Sequence, residues 1–141
     1  MTDHANFPDS ESTDINPIVE MLTKVEKPTL PASTDVMTVL VTLPPGSPGA
    51  PPHRHSGPAF GYVIEGEIRF ELEGQPVRIL KAGDTFSEPG GDVIHYQDGN
   101  NLPDAQSQFI AVMAAETGAP MLTLVSDEEL EQRRHLRAPR P

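Results

Sequence analysis

The sequence predicts an all-β fold, a sandwich or closed barrel of short strands, and three observations support this. Sixteen prolines and eleven glycines are scattered through 141 residues without a repeat, which suits many short strands joined by turns better than a helical bundle. Clusters of turn residues recur roughly every eight to twelve positions across the middle of the chain, the spacing of a sandwich or barrel. Between two such clusters, Glu67-Ile68-Arg69-Phe70-Glu71-Leu72-Glu73 alternates strictly, as a strand with one face in a core must. The length allows one domain with tails and a single core.

In chain order, residues 1–17 are polar and aperiodic and are expected to form a disordered or loosely docked arm in which His4 is solvated. Ile18 to Val25 suits either a short strand or a helical turn, and Pro28 and Pro31 then impose an extended passage. Asp35 to Leu43 is rich in β-branched residues and reads as a strand. The run Pro44 to Pro52 is dense in proline and glycine, and is read as a stiff loop that delivers the residues after it to a fixed place. Phe60 to Ile64 is apolar, Glu65-Gly66-Glu67 turns, and the alternating strand follows with Ile68, Phe70 and Leu72 inward and its charges in water. Val77 to Leu80 and Thr85 to Glu88 are short strands separated by Lys81-Ala82-Gly83-Asp84. After Pro89-Gly90-Gly91, Val93 to Gln97 is another, closed by Asp98-Gly99-Asn100-Asn101.

Gln108 to Ala115 is apolar on both faces and is expected to be covered on both sides. Met121 to Val125 reads as the last strand, so the barrel spans 18–125. Ser126-Asp127-Glu128-Glu129 is a capping box that opens a short C-terminal helix and tail over 126–141. Arg133, Arg134 and His135 then lie near the helix's negative end, which makes His135 a helix-end charge and the arginines an ordinary basic tail.

Composition excludes several function classes. Without cysteine there is no disulfide framework, zinc ribbon or thiol catalysis, so any metal must use histidine, carboxylate or carbonyl ligands. A net charge of −11 repels a phosphate backbone, which argues against a nucleic-acid partner. The N-terminus has no basic and apolar leader and no apolar run reaches membrane-spanning length, so the expectation is a soluble cytoplasmic protein with no membrane partner. Ser56, Ser87 and Ser107 lack the context of a nucleophile elbow, and no glycine-rich loop with a lysine opens a helix to hold phosphates. Glu65, Glu67, Glu71 and Glu73 read as a solvated strand face.

What remains is a histidine constellation. Three of the five histidines fall in two segments, Pro52-His53-Arg54-His55 and Pro89-Gly90-Gly91-Asp92-Val93-Ile94-His95. On a strand, His53 and His55 project from one face and can bind one ion if that face points into a cavity. On the next segments Ala59, Gly61 and Val63 alternate on one face and would leave space beside that ion. In Thr85-Phe86-Ser87-Glu88 the alternation puts Glu88 on the face of Phe86, the residue that most needs the core, while Gln97 shares a strand face with His95.

These segments resemble the two motifs of the cupin superfamily. Gly46 or Gly49, His53, His55 and Gly66 fit the first, with Tyr62-Val63-Ile64-Glu65-Gly66-Glu67 similar to the stretch around its last glycine. Gly83, Pro89, Gly91, His95 and Asn100 fit the second, with one extra residue between Gly91 and His95. The resemblance covers about residues 35 to 125. It implies a cupin-type jelly-roll β-barrel that holds a metal at its centre through His53, His55 and His95, but it leaves the reaction open. Ala59 stands where the family places a metal-binding glutamate, so Glu88, or in second place Gln97, is the candidate fourth ligand, and Glu88 is the candidate catalytic residue. Three imidazoles suit a divalent transition metal, with Fe first and Zn, Ni, Mn or Cu as alternatives. The function this implies is a mononuclear metal-dependent oxygenase, dioxygenase-like, acting on a small organic molecule. The alternative is a non-catalytic barrel that binds or senses a small-molecule ligand. The apolar strand 109–115 and family habit together point to a homodimer.

Overall fold

A computed structural model of the protein describes residues 15–140, so most of the expected N-terminal arm, with His4, lies outside the described residues. Among the described residues there are nine strands: β1 Thr34–Leu43, β2 His53–Arg54, β3 Ala59–Glu65, β4 Glu67–Leu72, β5 Arg78–Lys81, β6 Thr85–Glu88, β7 His95–Asn100, β8 Ser107–Glu116 and β9 Thr123–Leu124. They form two antiparallel sheets, one ordered β1-β8-β3-β6 and the other β5-β4-β7-β2-β9. Helix α1, Asp127–Gln132, and a 3-10 turn, Arg134–Leu136, follow. This is the jelly-roll architecture expected, with its short C-terminal helix. No helix among the described residues is long and apolar enough to cross a membrane.

The inward residues of both sheets make one core. Ile68, Phe70 and Leu72 of β4 are buried as the alternation requires, against Val63, Phe86, Phe109 and Met113. The Phe70 and Phe86 rings lie 4.9 Å apart and those of Phe86 and Phe109 5.5 Å apart, the latter edge to face. Gly61 in β3 is what lets Phe86 in, because a Cβ at that position would fall 1.9 Å from its ring. Gly66 turns β3 into β4 at φ +78°, where a side chain would be strained and would strike the buried Ser107.

Several expectations are corrected. Residues 18–25 form neither helix nor strand beyond a single bridge at Glu20, and the Thr23 hydroxyl reaches that of Thr85. Strand β7 continues through Asp98 and Gly99 to Asn100, because Asn100 pairs with Ile68 and its amide donates to the carbonyls of Pro44 and Ala105. Strand β8 is fully covered on one face; on the other Ala114 is buried but Ile110 and Val112 are each 36% exposed. Ser126 does cap α1 by accepting from the Glu129 N–H, but the Glu129 carboxylate does not reach back; it accepts from Arg54 at 2.7 Å.

The largest correction concerns the charges of β4. Glu71 is 1% exposed and the Glu73 side chain 8%, because the C-terminal segment lies over them. Arg137 donates two hydrogen bonds to Glu71 at 2.7 and 2.8 Å and stacks on the Tyr96 ring at 4.2 Å. Arg133 grips Glu73 and bonds Asp92 at 2.9 Å. These two arginines therefore fasten the tail to the barrel, while Arg134 pairs with Glu131 on its own helix turn.

Candidate metal centre

The histidines come together because β2 lies between β7 and β9. His53 is the direct cross-strand partner of His95, so both side chains leave the same face of one sheet. His55 follows just beyond the end of β2. The ring centroids of His53 and His55 are 4.8 Å apart and those of His53 and His95 4.9 Å, and one ligand atom from each of the three lies within 4.8 Å of the others.

The hydrogen bonds set the tautomers. His53 Nδ1 lies 2.7 Å from the Pro51 carbonyl and His55 Nδ1 lies 2.9 Å from that of Met121. Each carbonyl can only accept, so each Nδ1 carries a proton and each ring turns its Nε2 toward the space between them. These two nitrogens face each other at 3.2 Å. Burial holds the His53 imidazole below its ordinary range against the hydrogen bond to Pro51, and the neighbouring His95 and His55 push the same way. His95 is buried with neither ring nitrogen in a well-formed hydrogen bond.

Glu88 approaches from the opposite sheet. Its carboxylate is buried, with Oε1 2.7 Å from His95 Nδ1 and 3.7 Å from His55 Nε2. Burial alone would push the Glu88 carboxyl up and the His95 imidazole down, but their close contact outweighs it, so Glu88 is held low and His95 high. In the β3–β6 register Glu88 is the direct partner of Ala59. Opposed residues of an antiparallel pair share a face, so Glu88 delivers a carboxylate to the space beside the residue that has none.

Gln97 does not enter this space. A register shift between Glu71 and Leu72 adds a residue to β7 at Tyr96 and resets the alternation. Gln97 therefore turns outward and donates to Glu71 at 2.6 Å, while Asp98 takes its place on the cavity wall and accepts from the Ala50 N–H at 2.9 Å. Asp98 was missed in the sequence because a bulge leaves no mark in strict alternation. The space expected at Gly61 is also filled, by Phe86, and Ala59 alone of that face adjoins the cavity.

The cavity itself has a volume of about 80 Å³, room for a few waters or the reactive end of a small molecule. The residues fit a divalent transition ion. His53 and His55 turn their Nε2 atoms toward each other, His95 and Glu88 meet beside them, and no lysine or arginine is among the described lining residues; imidazole with carboxylate is a donor set for such ions.

Comparison with known proteins agrees with the fold. The family model described as the cupin domain matches residues 39–103. Among solved structures, KdgF from Halomonas sp. is 30% identical over 67% of this chain and 86% of that one, with a TM-score of 0.48. An RmlC-like cupin protein from Ralstonia eutropha is 17% identical over 90% of this chain and 69% of the other, with a TM-score of 0.54. The DMSP lyase DddQ from Ruegeria pomeroyi is 23% identical over 64% of this chain, with a TM-score of 0.53, and this chain spans only 43% of its length. The latter two likenesses concern the fold alone. A search of the curated proteins returned no match.

Proposed function

This chain belongs to the cupin superfamily, and on that premise we propose that it binds one divalent transition ion through His53, His55, His95 and Glu88 and acts as a mononuclear oxygenase on a small organic molecule. The observation that carries the reading is the pairing of Ala59 with Glu88, which returns a carboxylate to a site whose expected one is missing.

Bound there, an ion such as iron supplies Lewis acidity and redox capacity in a water-poor cavity. The protein's own residues do the rest. The carbonyls of Pro51 and Met121 hold the His53 and His55 rings in the tautomer and orientation that present Nε2. Glu88 contributes negative charge and a site for a proton, and the mainly apolar wall excludes bulk water. Iron is the first choice because histidine with one carboxylate is the donor set of non-haem iron oxygenases, and zinc, nickel, manganese and copper follow.

Oxygen uptake by iron-loaded protein, screened over small phenols, diketones and thiols, tests the activity. Uptake that requires both iron and a substrate is expected; ligand binding without uptake in the whole screen would make the barrel a sensing module instead. Glu88→Gln keeps the shape and removes the charge of a ligand, so metal affinity is expected to fall by at least the roughly 10–100-fold that losing an outer partner costs, while the fold is kept. Unchanged affinity and activity in that variant would remove Glu88 from the site.

A dimer is part of the same proposal. On the outer face of the first sheet, Leu40, Ile110 and Tyr62 stand side by side across three strands, with Val112 and Phe60 in the next row. Leu40 is 59% exposed and Val36 beyond it 68%, an apolar surface suited to a second copy. Light scattering is expected to give twice the chain mass, and Leu40→Glu to give the monomer. A monomeric wild-type protein at micromolar concentration would count against the pairing.

A further inference from the structure

The cavity wall has an uneven chemistry. Apart from the three histidines, Glu88 and Asp98, every side chain that lines it is hydrocarbon or thioether, including Val39, Val41, Phe109, Met113 and Leu122. No lysine, arginine, hydroxyl or amide side chain is among the described lining residues. The cations nearby in sequence point elsewhere. Arg54, between the two histidines of its motif, is bound outside the cavity to Glu129 at 2.7 Å and Asp92 at 3.5 Å. Arg78 lies over the Phe70 ring at 5.2 Å but is exposed and is not a wall residue. Asp98 already accepts from the Ala50 N–H, and as an acid it repels a second anion.

A molecule that enters can therefore satisfy one polar head at the histidine end, and whatever else it carries must rest on hydrocarbon. A second charged group, or a row of hydroxyls, would lose its water and find no partner. We infer that the site selects small molecules with a single polar head on a compact apolar body, and rejects dicarboxylates and polyhydroxylated acids. This inference rests on the metal reading above, since the ion is what receives the head.

The test compares two ligands of one shape. Fumarate is rigid and cannot bring both carboxylates to one ion, and in its analogue an isopropyl group replaces one carboxylate atom for atom. Each is titrated into cobalt-loaded protein and followed by the visible absorption of the cobalt, with metal content measured afterwards so that stripping is not counted as binding. The analogue is expected to bind at least tenfold more tightly than fumarate. In Leu122→Lys, which places a cation on the half-buried rim, fumarate is expected to gain at least tenfold and the analogue to gain nothing. Fumarate binding as tightly as the analogue in the wild-type protein would overturn the inference while leaving the metal site standing. Cobalt failing to bind at all would overturn the metal reading and this inference with it.

Discussion

His53→Ala and His95→Ala proteins, purified beside the wild type and analysed for metals, should each hold less than about a tenth of the wild-type content, since loss of a ligand exceeds the 10–100-fold cost typical of its outer partners. The reason is geometric. His53 and His95 are cross-strand partners, and alanine at either position leaves the other imidazole and the His55 Nε2 without the third nitrogen. Both side chains are buried, so the same change opens a cavity, and circular dichroism must show the strands intact for the comparison to count. Equal metal content in all three proteins would remove the site altogether.

The second large effect lies on the outer face of the second sheet. Arg137→Ala should destabilise the fold by about 3 kcal/mol at neutral pH, because it strips both guanidinium bonds from a buried Glu71 and leaves only the Gln97 amide beside it. Burial pushes the Glu71 carboxyl up, but Arg137 and then Gln97 pull it further down, so the net direction in the folded protein is below the ordinary value near 4.5. A carboxyl lowered on folding stabilises the native state above its unfolded value, and that contribution is lost as pH falls through the lower, folded one. The gap between wild type and Arg137→Ala should thus narrow as pH falls, beginning where the buried Glu71 of the variant takes up a proton and ending below the ordinary glutamate range, where that of the wild type does. Urea melts at neutral and acid pH measure this. A gap that is small at neutral pH, or that widens in acid, would show that the tail does not hold Glu71 in this way.

How much of this was legible in the sequence differs by residue. The alternation in 67–73 placed Ile68, Phe70 and Leu72 in the core because period two is a local property of the backbone. The two histidine segments were legible because turn residues and imidazoles stand close together in each. By contrast, Glu71 shares its face with no apolar residue, and its burial depends on Arg137, sixty-six positions away. Nothing local announces such a contact, and a charged run on a strand is ordinarily solvated. Gln97 and Asp98 exchanged roles because of one extra residue in β7, which reverses every later side chain without changing composition. Glu88 lay between these cases. Its inward direction follows from Phe86, but its position opposite Ala59 is a matter of pairing between strands, which only the fold supplies.

That pairing is the centre of the account, and anomalous diffraction from crystals of the metal-loaded protein, collected at the absorption edge of the bound ion, tests it most directly. The account predicts one anomalous peak among the three imidazoles, about 2 Å from a nitrogen of each of His53, His55 and His95 and from a carboxylate oxygen of Glu88. A peak elsewhere on the chain, or one at the histidines with the Glu88 carboxylate turned away from it, would contradict it.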